Sequence, residues 1–92
     1  MSVYVDNMRA PYGRMIMCHM AADTSLELWT MAKRIKVSSH WLQSKGTWRE
    51  HFDICLQKRE LAVRFGALEV TQKELVNKIW KKRAHPAKET QP

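Results

Sequence analysis

The sequence predicts one small α/β domain with about four short strands, at least partly parallel, and three helices. Three observations carry this prediction. Short apolar, β-branched or aromatic runs alternate with amphipathic helical segments, which is the pattern of a layered α/β fold. Two capping boxes mark helix starts between those runs. The chain has 92 residues, 45% of them hydrophobic, which suffices for a single core.

The amino-terminal part predicts two strands separated by a loop. Residues 3–5 read VYV, a β-branched and aromatic run that predicts a strand ending at Asp6. Residues 7–14 contain a proline and a glycine and predict a loop. The apolar run at residues 15–20, interrupted by His19, has the length of a strand. Periodicity alone does not separate a strand from a structured loop there.

The two capping boxes predict where the first and third helices begin. Thr24 and Glu27 form the first box, in which each side chain is expected to bond the amide of the other residue. The helix that follows is expected to end at the cations of residues 33–36, which suit a helix carboxyl end. Thr71 and Glu74 form the second box and open the third helix.

The middle of the chain predicts a second helix between two weaker strands. Residues 37–43 are rich in Ser, Val and Trp and predict a strand, and residues 44–49 predict a loop. A helix is expected over residues 56–65, with Gly66 as the residue that stops it. Residues 67–70 have the length and weak alternation of a strand.

The charge of the chain is positive and uneven. There are 16 Lys and Arg against 9 Asp and Glu, a net charge of +7, and the cations concentrate after residue 30. A basic surface attracts polyanions, so nucleic acid or a nucleotide is the first expected partner. The alternative is that lysine-rich helix faces only keep a small protein in solution.

Domain limits and location follow from composition. Residues 1–83 are predicted to form the domain, and residues 84–92, polar and proline-bearing, a flexible tail. The sequence has two cysteines, no opening that resembles a signal peptide, and no apolar run of ~18 residues. We therefore expect a cytoplasmic protein with reduced thiols and no membrane contact.

The strongest candidate site combines three carboxylates and two imidazoles. Asp6, Asp23 and Asp53 each adjoin a strand or helix end, where loops of a parallel sheet line a ligand crevice. Carboxylate oxygens suit Mg²⁺ or Mn²⁺, so these three are predicted metal ligands. His19 and His51, with Asp53, are the predicted catalytic residues, because imidazole moves protons at neutral pH. The alternative is that the aspartates cap helices and the histidines are satisfied core residues.

A second arrangement places a zinc ion between Cys18, His19, His51 and Cys55. It requires His51 and Cys55 to share one helical turn, which gives a tetrahedral site. The chain has no Cys-x-x-Cys element. Buried apolar cysteines are the favoured interpretation.

Aromatic and basic residues around position 48 suit single-stranded nucleic acid, in which bases stack on rings and phosphates meet cations. The alternative is that the Trp side chains pack into the core, which we favour for Trp41. The predicted nucleic-acid or phosphate contacts are Trp48, Arg49, Lys58 and Arg59.

Seven short motifs occur in the order VYVD, PYG, CHM, ADT, HFDI, KR and GA. On these motifs the chain resembles, over about residues 3–76, a family of short bacterial and phage proteins known only as a domain of unknown function. The family usually has Tyr at Phe52, so that hydroxyl is not essential if the role is shared. The resemblance implies no activity. It does imply which positions matter: Asp6, His19, Asp23, His51, Asp53 and Arg59.

The leading functional expectation is a small basic phage or bacterial accessory protein that acts on nucleic acid or nucleotides. In this hypothesis it is a metal-dependent phosphodiester hydrolase, with Arg49 and Arg59 as phosphate clamps. The alternative is a non-catalytic interaction protein that binds a host protein. Carboxylates that converge in a cleft favour the enzyme, whereas an exposed apolar patch favours the binder.

Overall fold

Strands and helices alternate along the chain as the sequence predicts. The computed structural model describes residues 2–84, with side chains for residues 2–82. The strands are β1 (Val3–Val5), β2 (Ala10–Tyr12), β3 (Met15–Ala22), β4 (Leu42–Gln43), β5 (His51–Cys55) and β6 (Leu68–Glu69). The helices are α1 (Ser25–Arg34), α2 (Leu56–Arg64) and α3 (residues 72–84), and a 3-10 turn spans Ser39–Trp41.

The sheet is mixed, and β3 is its centre. Its order is β4-β5-β3-β1-β6, and β2 pairs with the first part of β3. β3 runs antiparallel to β1, β2 and β5, and β4 runs antiparallel to β5. The parallel part is the pairing of β1 with β6. The prediction of a small, partly parallel α/β domain is therefore confirmed.

The described residues form six strands rather than about four, and the two additional strands have simple causes. β2 lies inside the predicted loop 7–14, because Gly13, with φ +60°, makes the tight turn that folds β2 back onto β3. β5 occupies residues that sequence reasoning gave to an irregular segment. Its apolar residues Phe52 and Ile54 alternate with polar ones, which is the two-residue period of a strand. Of the predicted strand 37–43, only the last two residues, Leu42–Gln43, belong to a strand.

One face of the sheet carries the main hydrophobic core. The even-numbered residues of β3 and β5 pack with β1 against α1 and α2, since side chains alternate along a strand. The cluster comprises Val3, Val5, Met20, Ala22, Leu28, Met31, Ala32, Ile35, Phe52, Ile54, Ala62 and Ala67. The opposite face is covered by α3, through a smaller cluster of Ala21, Leu75, Ile79 and Trp80.

α3 changes its hydrogen-bonding pattern along its length. It is α-helical over Gln72–Glu74, π-helical over Leu75–Trp80, and α-helical again over Lys81–Ala84. A π-helical segment is rare and often lies at a functional site. This segment carries the three buried residues of α3 to the sheet.

Both predicted helix starts are confirmed, and one box differs in detail. The Thr71 hydroxyl accepts from the Glu74 amide at 3.0 Å, and the Glu74 carboxylate accepts from the Thr71 amide at 2.8 Å. The Thr24 hydroxyl accepts from the Glu27 amide at 3.2 Å. The Glu27 carboxylate, however, accepts from the Thr24 hydroxyl at 2.8 Å rather than from its amide.

Two further predictions concern the carboxyl end of the chain and contact with a membrane. Residue 84 belongs to the last turn of α3, and residues 85–92 of the predicted flexible tail lie outside the described residues. Within the described part of the chain, the helices are too short or too polar to cross a lipid bilayer.

Candidate metal centre

Two histidines and one aspartate converge on the sheet face that α3 covers. His19 on β3 and Asp53 on β5 are direct partners across the antiparallel pair. His51 precedes Asp53 by two residues, so its side chain lies on the same face. One potential ligand atom from each of the three residues lies within 4.8 Å of the others. The sheet register thus joins residues that are more than 30 positions apart in sequence.

Asp6 holds the ring of His19. Its carboxylate is fully buried and lies 2.7 Å from His19 Nδ1. The same carboxylate accepts from the backbone amides of His19, at 2.8 Å, and Met8, at 3.1 Å. An ionised carboxylate has no proton to give, so Nδ1 of His19 carries the hydrogen. In the neutral ring, Nε2 then keeps its lone pair.

The pKa of Asp6 is set by two opposing effects. Burial raises the pKa of this carboxyl, because it disfavours the charged form. The hydrogen bond from the His19 ring and those from the amides of His19 and Met8 stabilise the anion and outweigh burial. The pKa of Asp6 is therefore lower than usual, and the residue is ionised at neutral pH.

His51 is oriented by the backbone. Its Nδ1 lies 2.6 Å from the carbonyl oxygen of Arg49, which only accepts hydrogen bonds, so Nδ1 carries the hydrogen. Its Nε2 lies 3.5 Å from Asp53 Oδ1, which is too long for a good hydrogen bond. Both histidines therefore present Nε2 lone pairs, and each has the outer partner that metal-bound histidines usually have.

Trp80 covers the two imidazoles. Its ring centre lies 5.4 Å from that of His19 and 5.1 Å from that of His51, and the residue is 3% exposed. The two imidazoles meet edge to face, 4.8 Å apart. Within the described residues, Trp80 Nε1 is buried and has no hydrogen-bond partner. The guanidinium of Arg49 lies 5.2 Å from the Trp80 ring centre.

The three side chains fit a transition metal better than an alkaline-earth ion. Imidazole nitrogen suits zinc, iron and similar ions, whereas Mg²⁺ prefers oxygen. Ligands about 2.1 Å from a metal are at most ~4.2 Å apart, so this group needs a contraction of roughly half an ångström to close on one. Three protein ligands leave coordination positions open, as in catalytic metal sites.

The structure distributes the predicted metal ligands over different roles. Asp53 belongs to the converging group, whereas Asp6 accepts a hydrogen bond from His19 Nδ1 and lies outside that group. Asp23 is outside this group and accepts hydrogen bonds from the Ser2 amide at 2.8 Å and the Tyr4 hydroxyl at 3.0 Å. Burial and the neighbouring Asp23 raise the pKa of Tyr4. Asp53 is an extended residue of β5 and not a helix cap, because Cys55 occupies the N-cap position of α2.

The cysteines do not join the histidines. Cys18 is fully buried and pairs with Ile54, so it faces the main core rather than the face of His19. Cys55 lies on the strand β5 and not on a helical turn with His51. The four-residue zinc arrangement is therefore wrong, because Cys18 points to the other face of the sheet and Cys55 lies four residues, roughly 13 Å, along β5 from His51.

The four predicted phosphate contacts lie in different surroundings. Trp48 is 44% exposed, and Arg49 packs its guanidinium 5.8 Å from the Trp48 ring centre. Lys58 lines a cavity of about 260 Å³ that Asp53 also lines. Arg59 donates to the Asp6 carbonyl at 2.7 Å and to Glu69 at 3.0 Å. Those two bonds tie the end of β1 to β6, and a phosphate role for Arg59 stays a prediction.

Sequence reasoning missed two residues that shape the site. Trp80 lies on the apolar side of α3 with Leu75 and Ile79, and nothing in the sequence pattern signals its contact with the imidazoles. Glu50 is 2% exposed; it accepts from the Ser25 hydroxyl and from the Gly46 amide at 3.2 Å. A charged residue next to a run of strand residues is the signal that was available, since buried charges need partners. These bonds hold the loop before His51 against the start of α1.

The fold and site define a small α/β domain with a candidate centre of two histidines and one aspartate. The chain belongs to the family described as "Protein of unknown function (DUF4031)", whose profile matches residues 3–82. The resemblance seen in the sequence is thereby confirmed. Comparison with curated proteins and with solved structures finds no match to the chain.

Proposed function

We propose that the protein is a metal-dependent enzyme that hydrolyses phosphodiester bonds in nucleic acid or nucleotides. His19, His51 and Asp53 hold the metal, and Asp6 and the Arg49 carbonyl hold the two imidazoles. One observation carries this proposal: both Nδ1 atoms are committed to acceptors at 2.7 and 2.6 Å, so both Nε2 atoms are left for a metal beside Asp53. The protein is further proposed to work in the cytoplasm.

The number of ligands favours a catalytic rather than a structural metal. Structural zinc sites are closed by four protein ligands, whereas catalytic sites keep a position for water or substrate. Among the described residues, no fourth His, Cys, Asp or Glu joins the group. At these three residues a bound metal would supply an activated water as nucleophile at neutral pH.

The charges around the group favour a phosphate-containing substrate. The Arg49 guanidinium lies against Trp80, whose ring contacts both imidazoles, and Lys58 shares a cavity with Asp53. The chain carries a net charge of +7, which attracts polyanions over long range. Zn²⁺ suits two imidazoles better than Mg²⁺ or Mn²⁺, the ions expected from the carboxylates, because those two favour oxygen ligands.

The decisive experiment is calorimetric titration of Mn²⁺ and Zn²⁺ into the wild type, His51→Ala and His40→Ala. His40 is an exposed histidine of the 3-10 turn and serves as the matched control. We expect the wild type and His40→Ala to bind one ion alike and His51→Ala to lose most of the affinity. Hydrolysis of bis(p-nitrophenyl) phosphate and of a labelled single-stranded oligonucleotide by the metal-loaded protein then tests the reaction.

The alternative, a protein that binds a host protein without catalysis, has one supporting observation. Leu26 is 77% exposed and Trp29 39% exposed on α1, and both line one surface pocket. A wild-type protein that binds neither metal refutes the enzyme proposal and leaves this alternative. A protein that binds metal but cleaves neither substrate retains the metal site and loses the phosphodiesterase assignment.

A further inference from the structure

The indole of Trp80 contains a buried hydrogen-bond donor with no acceptor. Trp80 is 3% exposed, and its Nε1 finds no partner among the described residues. A buried N–H group without a partner is costly, and most native proteins avoid it unless a ligand or water supplies the acceptor. An unmatched donor of this kind therefore points to a missing acceptor near Trp80.

The position of the indole places that acceptor beside the proposed metal. The Trp80 ring lies 5.4 and 5.1 Å, centre to centre, from the rings of His19 and His51. Those are two of the three proposed ligands, so the Trp80 ring borders the place where the proposed metal would be held. The π-helical segment Leu75–Trp80 ends at this residue and brings it onto the sheet together with Leu75 and Ile79.

A cation lies against the same ring. The Arg49 guanidinium is 5.2 Å from the Trp80 ring centre and 5.8 Å from that of Trp48. The Arg49 backbone is fixed to the site, because its carbonyl accepts from His51 Nδ1 at 2.6 Å. In the described side chains, no carboxylate pairs with this guanidinium. Arg49 is exposed, and its guanidinium N–H groups are available to bind an anion.

We propose that Trp80 Nε1 and the Arg49 guanidinium form an oxyanion subsite at the metal centre. The ligand class is a tetrahedral oxyanion, namely a phosphate group or the phosphate part of a substrate, with one oxygen on the metal and another on the indole N–H. This inference rests on the proposed function, because the metal supplies the third contact. It assigns Trp80 a contact with substrate that the metal ligands alone do not require.

The charge balance makes anion binding depend on the metal. Without a metal, the carboxyl groups of Asp53 and Asp6 oppose the attraction of an oxyanion to Arg49. A bound divalent ion reverses that balance. By reciprocity, phosphate tightens metal binding by the same factor by which the metal tightens phosphate binding.

The test is titration of inorganic phosphate into zinc-loaded protein, with no free zinc, for the wild type, Trp80→Phe and Trp29→Phe. Phe keeps an aromatic ring against the imidazoles and deletes the N–H. We expect Trp80→Phe to lower phosphate affinity about 10-fold or more, as for a hydrogen bond to a charged group, and to leave zinc affinity within about 3-fold. Trp29→Phe, an exposed tryptophan on α1, is the matched control and leaves both unchanged.

A measurement on the wild type avoids dependence on the folding of the variant. The indole N–H resonance of Trp80 in a ¹⁵N spectrum of zinc-loaded protein is expected to shift on phosphate addition, while the other indole resonances stay. Arg49→Gln should reduce phosphate affinity without moving zinc affinity.

Two outcomes overturn the inference alone. One is equal phosphate affinity of the zinc-loaded wild type and Trp80→Phe, and the other is a Trp80 resonance that ignores phosphate. A wild type that binds no zinc or manganese removes the proposed function first and this subsite with it. The two failures are distinguishable because metal titration precedes phosphate titration.

Discussion

The two faces of the sheet are built from alternate residues of the same strands, yet their side chains need different surroundings. On β5, Phe52 and Ile54 are 1% exposed and pack into the main core under α1 and α2. Their neighbours His51 and Asp53 point to the face under α3, where His51 Nδ1 donates to the Arg49 carbonyl and Asp53 lies opposite His19. Adjacent residues of β5 therefore alternate between packing into the main core and lining the candidate site.

The two faces of the sheet differ in the kind of interaction that stabilises them. The apolar face is stabilised by area removed from water, at ~25 cal/mol per Å², and it depends on volume rather than on direction. The polar face depends on direction, because the Nδ1 atoms of His19 and His51 must meet acceptors for Nε2 to be free. Substitutions on the two faces should therefore separate stability from ligand binding.

The largest expected effect on stability is on the apolar face. We expect Ile54→Ala to lower the free energy of unfolding by ~2–5 kcal/mol, because it leaves a cavity in a tightly packed core. Urea denaturation measures the loss. Metal affinity of the folded fraction should stay at the wild-type value, since Ile54 points away from the sheet face that carries His19 and Asp53. A large drop in metal affinity in the folded variant contradicts the separation of the faces.

The neighbouring substitution Asp53→Asn should give the opposite result. It removes a charged ligand and keeps the shape, so metal affinity should fall by ~100-fold or more, or about 2.7 kcal/mol, given that outer partners alone contribute 10–100-fold. The unfolding free energy should change little, because Asp53 is half-buried and is not a helix cap. Calorimetric titration of Mn²⁺ beside circular dichroism checks both. Unchanged metal binding would remove Asp53 from the site.

Asp6 is buried and accepts from His19 Nδ1, so Asp6→Asn should affect both stability and metal affinity. The amide no longer stabilises the His19 tautomer as a carboxylate does, so metal affinity should fall by ~10–100-fold. The buried amide also lacks an acceptor for its own N–H₂ group, which should cost ~1–3 kcal/mol of stability. Metal titration and urea denaturation on one sample measure the two losses. A change in stability without a change in metal affinity would make Asp6 purely structural.

The fold was predictable wherever local chemistry dominates. Thr24 and Thr71 start helices because their hydroxyls satisfy free amides of the first turn, and that signal is complete within four residues. β2 and β5 were missed because pairing with a neighbouring strand, which the local sequence does not encode, decides whether a short segment forms a strand. The alternation of His51, Phe52, Asp53 and Ile54 was present in the sequence, but the charged neighbours on both sides obscured it.

The site was only partly predictable, for a related reason. His19, His51 and Asp53 were candidates on chemistry alone, together with Asp6 and Asp23. The pairing register of β3 with β5 decides which of them meet, and no local pattern encodes that register. The contact of Trp80 with the two imidazoles was beyond reach, because it depends on where α3 docks on the sheet, and no local pattern encodes that docking.

The smallest expected effects compare the helices that cover the two faces. Thr24→Ala weakens the start of α1, over the apolar face, and Thr71→Ala weakens the start of α3, over the polar face. Each should lower the unfolding free energy by ~1 kcal/mol, since each removes one N-cap acceptor. Thermal unfolding measures the loss, and no change in either variant means that the hydroxyl does not stabilise its helix.

The same two variants also compare α1 with α3 through a local measurement, the hydrogen exchange of the Trp80 indole. α3 holds Trp80 against the imidazoles, so Thr71→Ala should speed hydrogen exchange of the Trp80 indole through more frequent opening of α3. Thr24→Ala, with an equal loss of global stability, should leave that exchange rate nearly unchanged if α3 opens locally. Equal acceleration in both variants would mean that the Trp80 indole exchanges only through global unfolding. In that case α3 does not open independently over the proposed metal site, and access of a ligand to His19 and His51 does not depend on local opening of α3.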